Sequence, residues 1–251
     1  MPILSQDTDL TQFNLGTFGF TATTQDLESA GYTLADLVID LSGSVQSFLP
    51  NIEAAVLGAI KILQNDPKKD SILIRITTFS SDITEVMGYK PVLSFDPSSL
   101  KGIFKAGGYT ALFDAIISGA EAAANYGQEL RKGDYDSNGI LIVITDGENN
   151  SGRYRASVGS PDYDSQVELV SQALKMPHRK ECLESYISVL VAVKLDSATE
   201  SRLRTFHTQA GFTHPFISTD DIDSLKVSIS SAISSQSAFQ GTGGPSTKIT
   251  F

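Results

Sequence analysis

A chain of 251 residues, 41% hydrophobic and 19% charged, can bury a full core without covalent staples. Its formal net charge of -10 argues against nucleic acid or an anionic membrane surface as the main partner. Cys182 is the one cysteine, so no internal disulfide forms, no basic-then-apolar leader opens the chain, and no stretch reaches the roughly 18 apolar residues of a membrane span. These features together read as a soluble, cytoplasmic protein.

Residues 1–32 form an N-terminal extension. Phe13 with Leu15 and Phe18 with Phe20 alternate in a Thr/Gly-rich run, the pattern of an accessory strand or hairpin added to a sheet. An apolar, β-branched run at 34–40, bounded by Gly31 and Gly43, reads as a central strand. In 45–64, Phe48, Ile52, Ala55, Val56, Ala59, Ile60 and Leu63 fall at three- and four-residue steps, so the spacing predicts an amphipathic helix. Pro50 kinks that helix or marks where its regular part begins. Residues 72–79 give a second strand and 83–87 a short strand returning from it through Ser80-Ser81-Asp82. The stretch 88–106, with Pro91 and Pro97, reads as loop with one helical turn. A helix at 111–130, a strand at 140–145, a helix at 165–175, a strand at 187–194, a helix at 197–209, a short strand at 214–217 and a helix at 222–235 complete the plan. The tail 239–251 is composed like a flexible linker.

Strands separated by crossover helices predict an α/β fold, Rossmann-like and doubly wound. Its sheet is mostly parallel, with helices on both faces and one antiparallel edge strand at residue 83. In such a sheet ligands sit beyond the carboxyl ends of the strands, near a topological switch point. Three segments point there. Leu37-Val38-Ile39-Asp40-Leu41-Ser42-Gly43-Ser44 ends a strand on Asp-x-Ser-x-Ser, Gly107-Gly108-Tyr109-Thr110 is a glycine-rich loop ahead of a helix, and Ile144-Thr145-Asp146-Gly147 ends a later strand. Asp40, Ser42, Ser44, Thr110 and Asp146 are hard oxygen ligands, suited to a small hard cation, Mg2+ first and Mn2+ or Ca2+ as alternatives. With few direct carboxylates, such an ion keeps an exchangeable position that a partner's carboxylate can fill.

These three segments, in this order, resemble the von Willebrand factor A domain family with its metal-ion-dependent adhesion site. Phe79-Ser80-Ser81-Asp82 and Thr110-Ala111-Leu112-Phe113-Asp114-Ala115 are secondary matches, and the resemblance spans about residues 33–237. It implies a Rossmann-like domain over 33–238, a divalent cation and protein binding rather than catalysis. It also implies Ser42, Ser44 and Thr110 as direct ligands, with Asp40 and Asp146 often acting through water, and a last helix that can move when a ligand engages. The partner would present an Asp or Glu carboxylate. Intracellular relatives often work beside an AAA-type ATPase or in a larger assembly. The extension 1–32 and the polar segment 149–164 depart from the family pattern.

Other residues carry weaker signals. Asp114 and Glu148 suit helix-dipole or outer-shell roles, and Asp82 a turn. Arg153 and Arg155, with Tyr109 and Tyr154, are placed to rim the metal edge and attract an acidic partner. His178, His207 and His214 follow no metal spacing, and Cys182 has no evident base. Two other classes compete. A structural subunit of a larger assembly would use the extension and tail to reach neighbours. A metal-dependent hydrolase would need a nucleophile or base beside the ion, and there is no Asp-x-Asp pair at the strand end, no His near any motif and no Gly-x-Ser-x-Gly elbow.

Overall fold

The computed structural model describes residues 10–14, 16–23, 27, 29–179 and 182–238. Leu15 and the tail 239–251 lie outside the described residues. Eight strands form one sheet: β1 (Leu10–Phe13), β2 (Phe20–Thr23), β3 (Gly31–Asp40), β4 (Ile72–Phe79), β5 (Ile83–Pro91), β6 (Asp136–Thr145), β7 (Ser185–Val193) and β8 (Ile217–Thr219). Their spatial order is β1-β2-β5-β4-β3-β6-β7-β8. Five helices alternate with them: α1 (Leu49–Leu63), α2 (Leu112–Lys132), α3 (Tyr163–Arg179), α4 (Ser197–Ala210) and α5 (Ile222–Ala238).

The central strands are parallel, and β5 runs antiparallel to β4 on the edge side, as the sequence predicts. The hairpin β1–β2 continues the sheet beyond β5, pairing Ala22 with Tyr89. Continuous apolar runs make β3, β4, β6 and β7 bury both faces. On one face Leu34, Val38, Leu141 and Val143 pack under α2, α3 and α4. On the other, Leu37, Ile39, Ile142 and Ile144 pack under α1 and α5. The chain leaves β3 to one side through α1 and β6 to the other through α3, so the strand order switches between β3 and β6. Helix α2 lies close over this switch. A Cβ on Gly119 would stand 2.6 Å from Leu141 Cδ1, so any larger residue there would have to push that side chain aside.

Several boundaries differ from expectation. Strand β5 runs on through Gly88 to Pro91, where a loop is expected from 88. Gly88 faces β2 so closely that a Cβ would meet Thr21 Oγ1 at 1.9 Å, so this glycine marks a close approach between strands and not a turn. Two short 3-10 turns, Val92–Ser94 and Pro97–Leu100, replace the single helical turn. The helix expected from 45 is a 3-10 turn, Gly43–Ser47, followed by α1 with Pro50 in its first turn, where a missing N–H costs nothing. Helix α3 is longer than expected and carries Pro177 inside it, and β8 falls at 217–219 instead of 214–217. Among the described residues no helix is long and apolar enough to cross a membrane.

One buried ion network ties the hairpin to the sheet. Arg75 of β4, 1% exposed, donates Nη1–H to Asp36 Oδ2 at 2.8 Å and Nε–H to Glu85 Oε2 at 2.6 Å. Glu85 Oε1 accepts from Thr21 N at 2.9 Å and Thr21 Oγ1 at 2.6 Å. Removing the arginine strands the fully buried Asp36 charge. Arg75→Met should therefore cost about 3–5 kcal/mol in urea unfolding at neutral pH. A loss below about 1 kcal/mol would mean the network is not ionised.

Candidate functional site

The parallel register sets Ile39 beside Ile144, so Asp40 and Thr145 end adjacent strands at the switch point. Asp40 is fully buried. Its Oδ1 accepts from Ser42 N at 2.7 Å and its Oδ2 from Thr145 Oγ1 at 2.6 Å. Thr145 Oγ1 in turn accepts from Gly147 N at 3.2 Å. The strand end thus fixes the start of both loops. Ser42 Oγ lies 3.1 Å from Ser44 Oγ, and Ser44 Oγ donates to Asp146 Oδ1 at 2.6 Å.

Thr110 comes from the third loop. Gly107 N donates to Leu41 O at 2.8 Å and Gly43 N to Gly108 O at 3.2 Å, so the glycine loop lies against the Asp-x-Ser-x-Ser turn. A methyl group on Gly147 would stand 3.9 Å from Thr110 Oγ1 and 4.0 Å from Ser44 Oγ. The three loops therefore meet. Ser44, Thr110 and Asp146 line one cleft of about 770 Å3, while Asp40 and Ser42, 0% and 1% exposed, sit beneath its floor. The Thr110 hydroxyl makes no hydrogen bond among the described residues.

Residues the motif does not contain hold this arrangement. Asn150 Oδ1 accepts from Thr110 N at 2.8 Å, and Thr110 O accepts from Asn150 N and Ser151 N at 2.9 and 3.1 Å. Ser81 Oγ accepts from Tyr109 N at 3.0 Å. Asn149, buried, accepts from Phe113 N at 3.0 Å in the first turn of α2 and donates to Tyr154 O and Ala156 O. Asp114 accepts from Arg153 N at 2.6 Å and Tyr154 N at 2.9 Å. The polar segment after Asp146 is thereby clamped to the start of α2. Its polar composition was the available signal, but the partners of each amide were not readable from it. Thr145 had a signal too, as the lone hydroxyl ending an apolar strand.

The rim differs from expectation. Arg153 lies over the Phe18 ring, 5.8 Å from its centroid, and neither it nor Arg155, Tyr109 or Tyr154 lines the cleft. Tyr109 is 68% exposed outside it. From segment 149–164 it is Asn149, Asn150, Ser157 and Val158 that line the cleft, while the backbone at Arg153 is clamped to Asp114 of α2. The cleft's cations are instead Lys194 and Arg202. Arg202 pairs with Glu148 at 2.5 Å. Asp82 lies in a turn where its carbonyl accepts from Ser80 N. His207 and His214 engage the carbonyls of His214 and Pro215, away from the cleft.

Among the described residues no group of three or more His, Cys, Asp or Glu side chains could hold a metal. The donor set that converges is three hydroxyls and two carboxylates, which fits a hard divalent cation and not a soft one. Asp40 has no cation within ion-pair distance among the described residues. Burial pushes its carboxyl up to about 6, against the lowering effect of the Thr145 and Ser42 hydrogen bonds. Burial also raises Asp146, opposed by Ser44 and by the charge of Lys194.

The sequence model of the von Willebrand factor type A domain matches residues 37–231. Among solved structures, the pilus adhesin SpaC from Lactobacillus rhamnosus GG, in an open conformation, superposes with a TM-score of 0.60 at 11% identity, covering 87% of this chain and 31% of that one. The PilB minor pilin from Streptococcus sanguinis gives 0.59 at 12% identity, covering 90% and 66%. A von Willebrand factor type A protein from Catenulispora acidiphila gives 0.56 at 11% identity, covering 87% and 44%. The chain thus spans between 31% and 66% of these structures, and the likeness is one of fold. Comparison with curated proteins gave no match.

The burial of Asp40 has a measurable consequence. The folded protein keeps a proton on it up to about pH 6, while an unfolded aspartate loses it near 3.8. Between these values the folded state binds more protons, so this group's contribution to stability falls as pH rises, by about 3 kcal/mol in all. Asp40→Asn should match the parent at pH 4 and exceed it at pH 7.5 in urea unfolding with chelator present. An equal difference at both pH values would contradict the burial argument.

Proposed function

The chain belongs to the von Willebrand factor type A domain family, and we propose that it is a protein-binding module whose site takes a divalent cation. In this reading Asp40, Ser42, Ser44, Thr110 and Asp146 form a metal-ion-dependent adhesion site. One observation carries it: a fully buried carboxylate, Asp40, with no cation beside it, under a cleft where Ser44, Thr110 and Asp146 present oxygens. Burying such a charge alone is costly, and a divalent ion above it would restore the balance. When bound, the ion, Mg2+ or else Mn2+ or Ca2+, supplies a Lewis-acidic position for an Asp or Glu carboxylate from the partner.

The chain's own residues supply the rest. Ser42, Ser44 and Thr110 would offer neutral oxygens, and Asp40 and Asp146 would supply the negative charge. Asp40 orients the turn through Ser42 N and is itself fixed by Thr145. Asn150 and Ser81 hold Thr110 and Tyr109 from opposite sides. The histidines stand apart from the cleft, which favours binding over hydrolysis. The partner class in this proposal is a protein with an exposed acidic residue, an AAA-type ATPase or a component of a larger assembly, met in the cytoplasm. SpaC, which shares the fold, is a pilus adhesin.

Thermal unfolding tests the reading directly. Millimolar Mg2+ or Mn2+ should raise the midpoint at pH 7.5, by the equivalent of about 2.7 kcal/mol if the ion is at a hundredfold its Kd. Asp40→Ala and Thr110→Ala should each remove most of that gain. At pH 5 the gain should shrink, because Asp40 is protonated below about 6. A midpoint indifferent to both ions at pH 7.5 would sink the proposal.

A further inference from the structure

Lys194 follows β7 and stands in the same cleft as Ser44, Thr110 and Asp146. Its φ is +51°, in the left-handed region that ordinary side chains avoid. Asp134, the other non-glycine residue with positive φ among those described, sits in a plain turn after α2 and is of a type that tolerates it. Lysine has no such tolerance, so the fold holds it there against backbone preference. The restraint is visible: Lys194 N donates to Asp220 Oδ1 at 2.7 Å. Strain of this kind collects where a side chain must be aimed.

The Lys194 ammonium donates to Ser47 Oγ, at the end of the 3-10 turn that carries Ser44. Asp220 is taken by the Lys194 amide, Asp146 feels the lysine's charge without bonding its ammonium, and the nearby carboxylates make their hydrogen bonds elsewhere. Asp146 accepts from Ser44, Glu148 pairs with Arg202, and Asp196 caps α4 through Ala198 N and Thr199 N at 2.9 Å each. Among the described residues Lys194 forms no ion pair. An ammonium has three donors, and the contact with Ser47 uses one. An exposed cation with spare donors, held beside a binding cleft, is a site for an anion.

We propose that Lys194 is a second anion anchor of the cleft, so that the ligand is a dianionic acidic segment. One carboxylate occupies the Ser44–Thr110–Asp146 position and a second acidic group pairs with the Lys194 ammonium. This rests on the binding site of the preceding section and specifies the partner's chemistry. Ser44 and Ser47 lie one 3-10 turn apart, about 6 Å along the axis. That separation suits two neighbouring Asp or Glu side chains, or a five-carbon dicarboxylate.

The probes are therefore glutarate and pentanoate, which have equal chain length and two or one carboxylates. Each is titrated into the Mg2+-loaded full chain and followed by amide chemical shifts. The parent should bind glutarate about tenfold more tightly than pentanoate. Lys194→Gln should lower that ratio to about two, the statistical value for two equivalent ends. Lys194→Arg should retain the preference. Lys194→Gly, which relieves the backbone, should unfold at higher urea than the parent yet lose the preference, which separates selectivity from folding. A ratio of about two in the parent, or one unchanged in Lys194→Gln, overturns the second anchor while metal-dependent pentanoate binding leaves the first intact. Binding of both probes that persists with chelator and in Asp40→Ala overturns the metal reading, and with it the dianionic ligand. Absence of binding by either probe overturns both.

Discussion

Two parallel strands end side by side, and a threonine hydroxyl on one donates to a buried carboxylate on the other. The 2.6 Å contact between Thr145 and Asp40 is the constraint from which the cleft is built. Asp40 has two acceptor oxygens and spends one on each loop, Oδ1 on the turn that carries Ser42 and Ser44, Oδ2 on the strand that delivers Asp146. Because the chain leaves β3 and β6 in opposite directions, nothing crosses between them, and a crevice opens there. A carboxylate with no countercharge beneath such a crevice bears the full desolvation cost of its charge.

The third loop shows how a mobile type of sequence becomes a fixed one. Two glycines before Tyr109 and Thr110 free the backbone to approach the Asp-x-Ser-x-Ser turn, and Gly108 does so at φ +81°. Freedom alone would leave Thr110 unplaced. Asn150, Ser81 and the carbonyl bonds from 150 and 151 restrain it from both sides. Asn149 and Asp114 then join the same segment to the first turn of α2. Residues that look like an insertion are the scaffold of the Thr110 loop, a common arrangement in which outer partners orient the groups that bind.

A second buried charge cluster lies farther along the sheet and has a structural task. Arg75 joins Asp36 of β3 to Glu85 of β5, and Glu85 holds the hairpin through Thr21. Glu121 of α2 accepts from Thr17 N at 2.6 Å and Phe18 N at 3.3 Å, so the hairpin is also pinned from the helix layer. Stacking of Phe13 on Phe20 and of Tyr89 on Tyr126 fills the space between. The hairpin is thus integral to the sheet, and the antiparallel strand it covers is shielded from unpaired edge contacts.

The sequence by itself determined the alternation of strands and helices, the doubly wound plan and the short-range chemistry of Asp40, Ser42 and Ser44. These follow from periodicity and from spacing within a turn, and neither needs a distant partner. The misplaced details have one cause. Gly88 reads as a loop until β2 is laid against it, and Arg153 reads as a rim residue until Phe18 draws it aside. Tertiary structure alone decided that Thr145 would hold Asp40, that Asn150 would hold Thr110, and that Lys194 and Arg202 would supply the cleft's positive charge. Lys194 is 147 residues from the serine it reaches. Local pattern encodes which face is buried and where a turn falls, while the neighbours of a charge depend on how separate strands are ordered in the sheet.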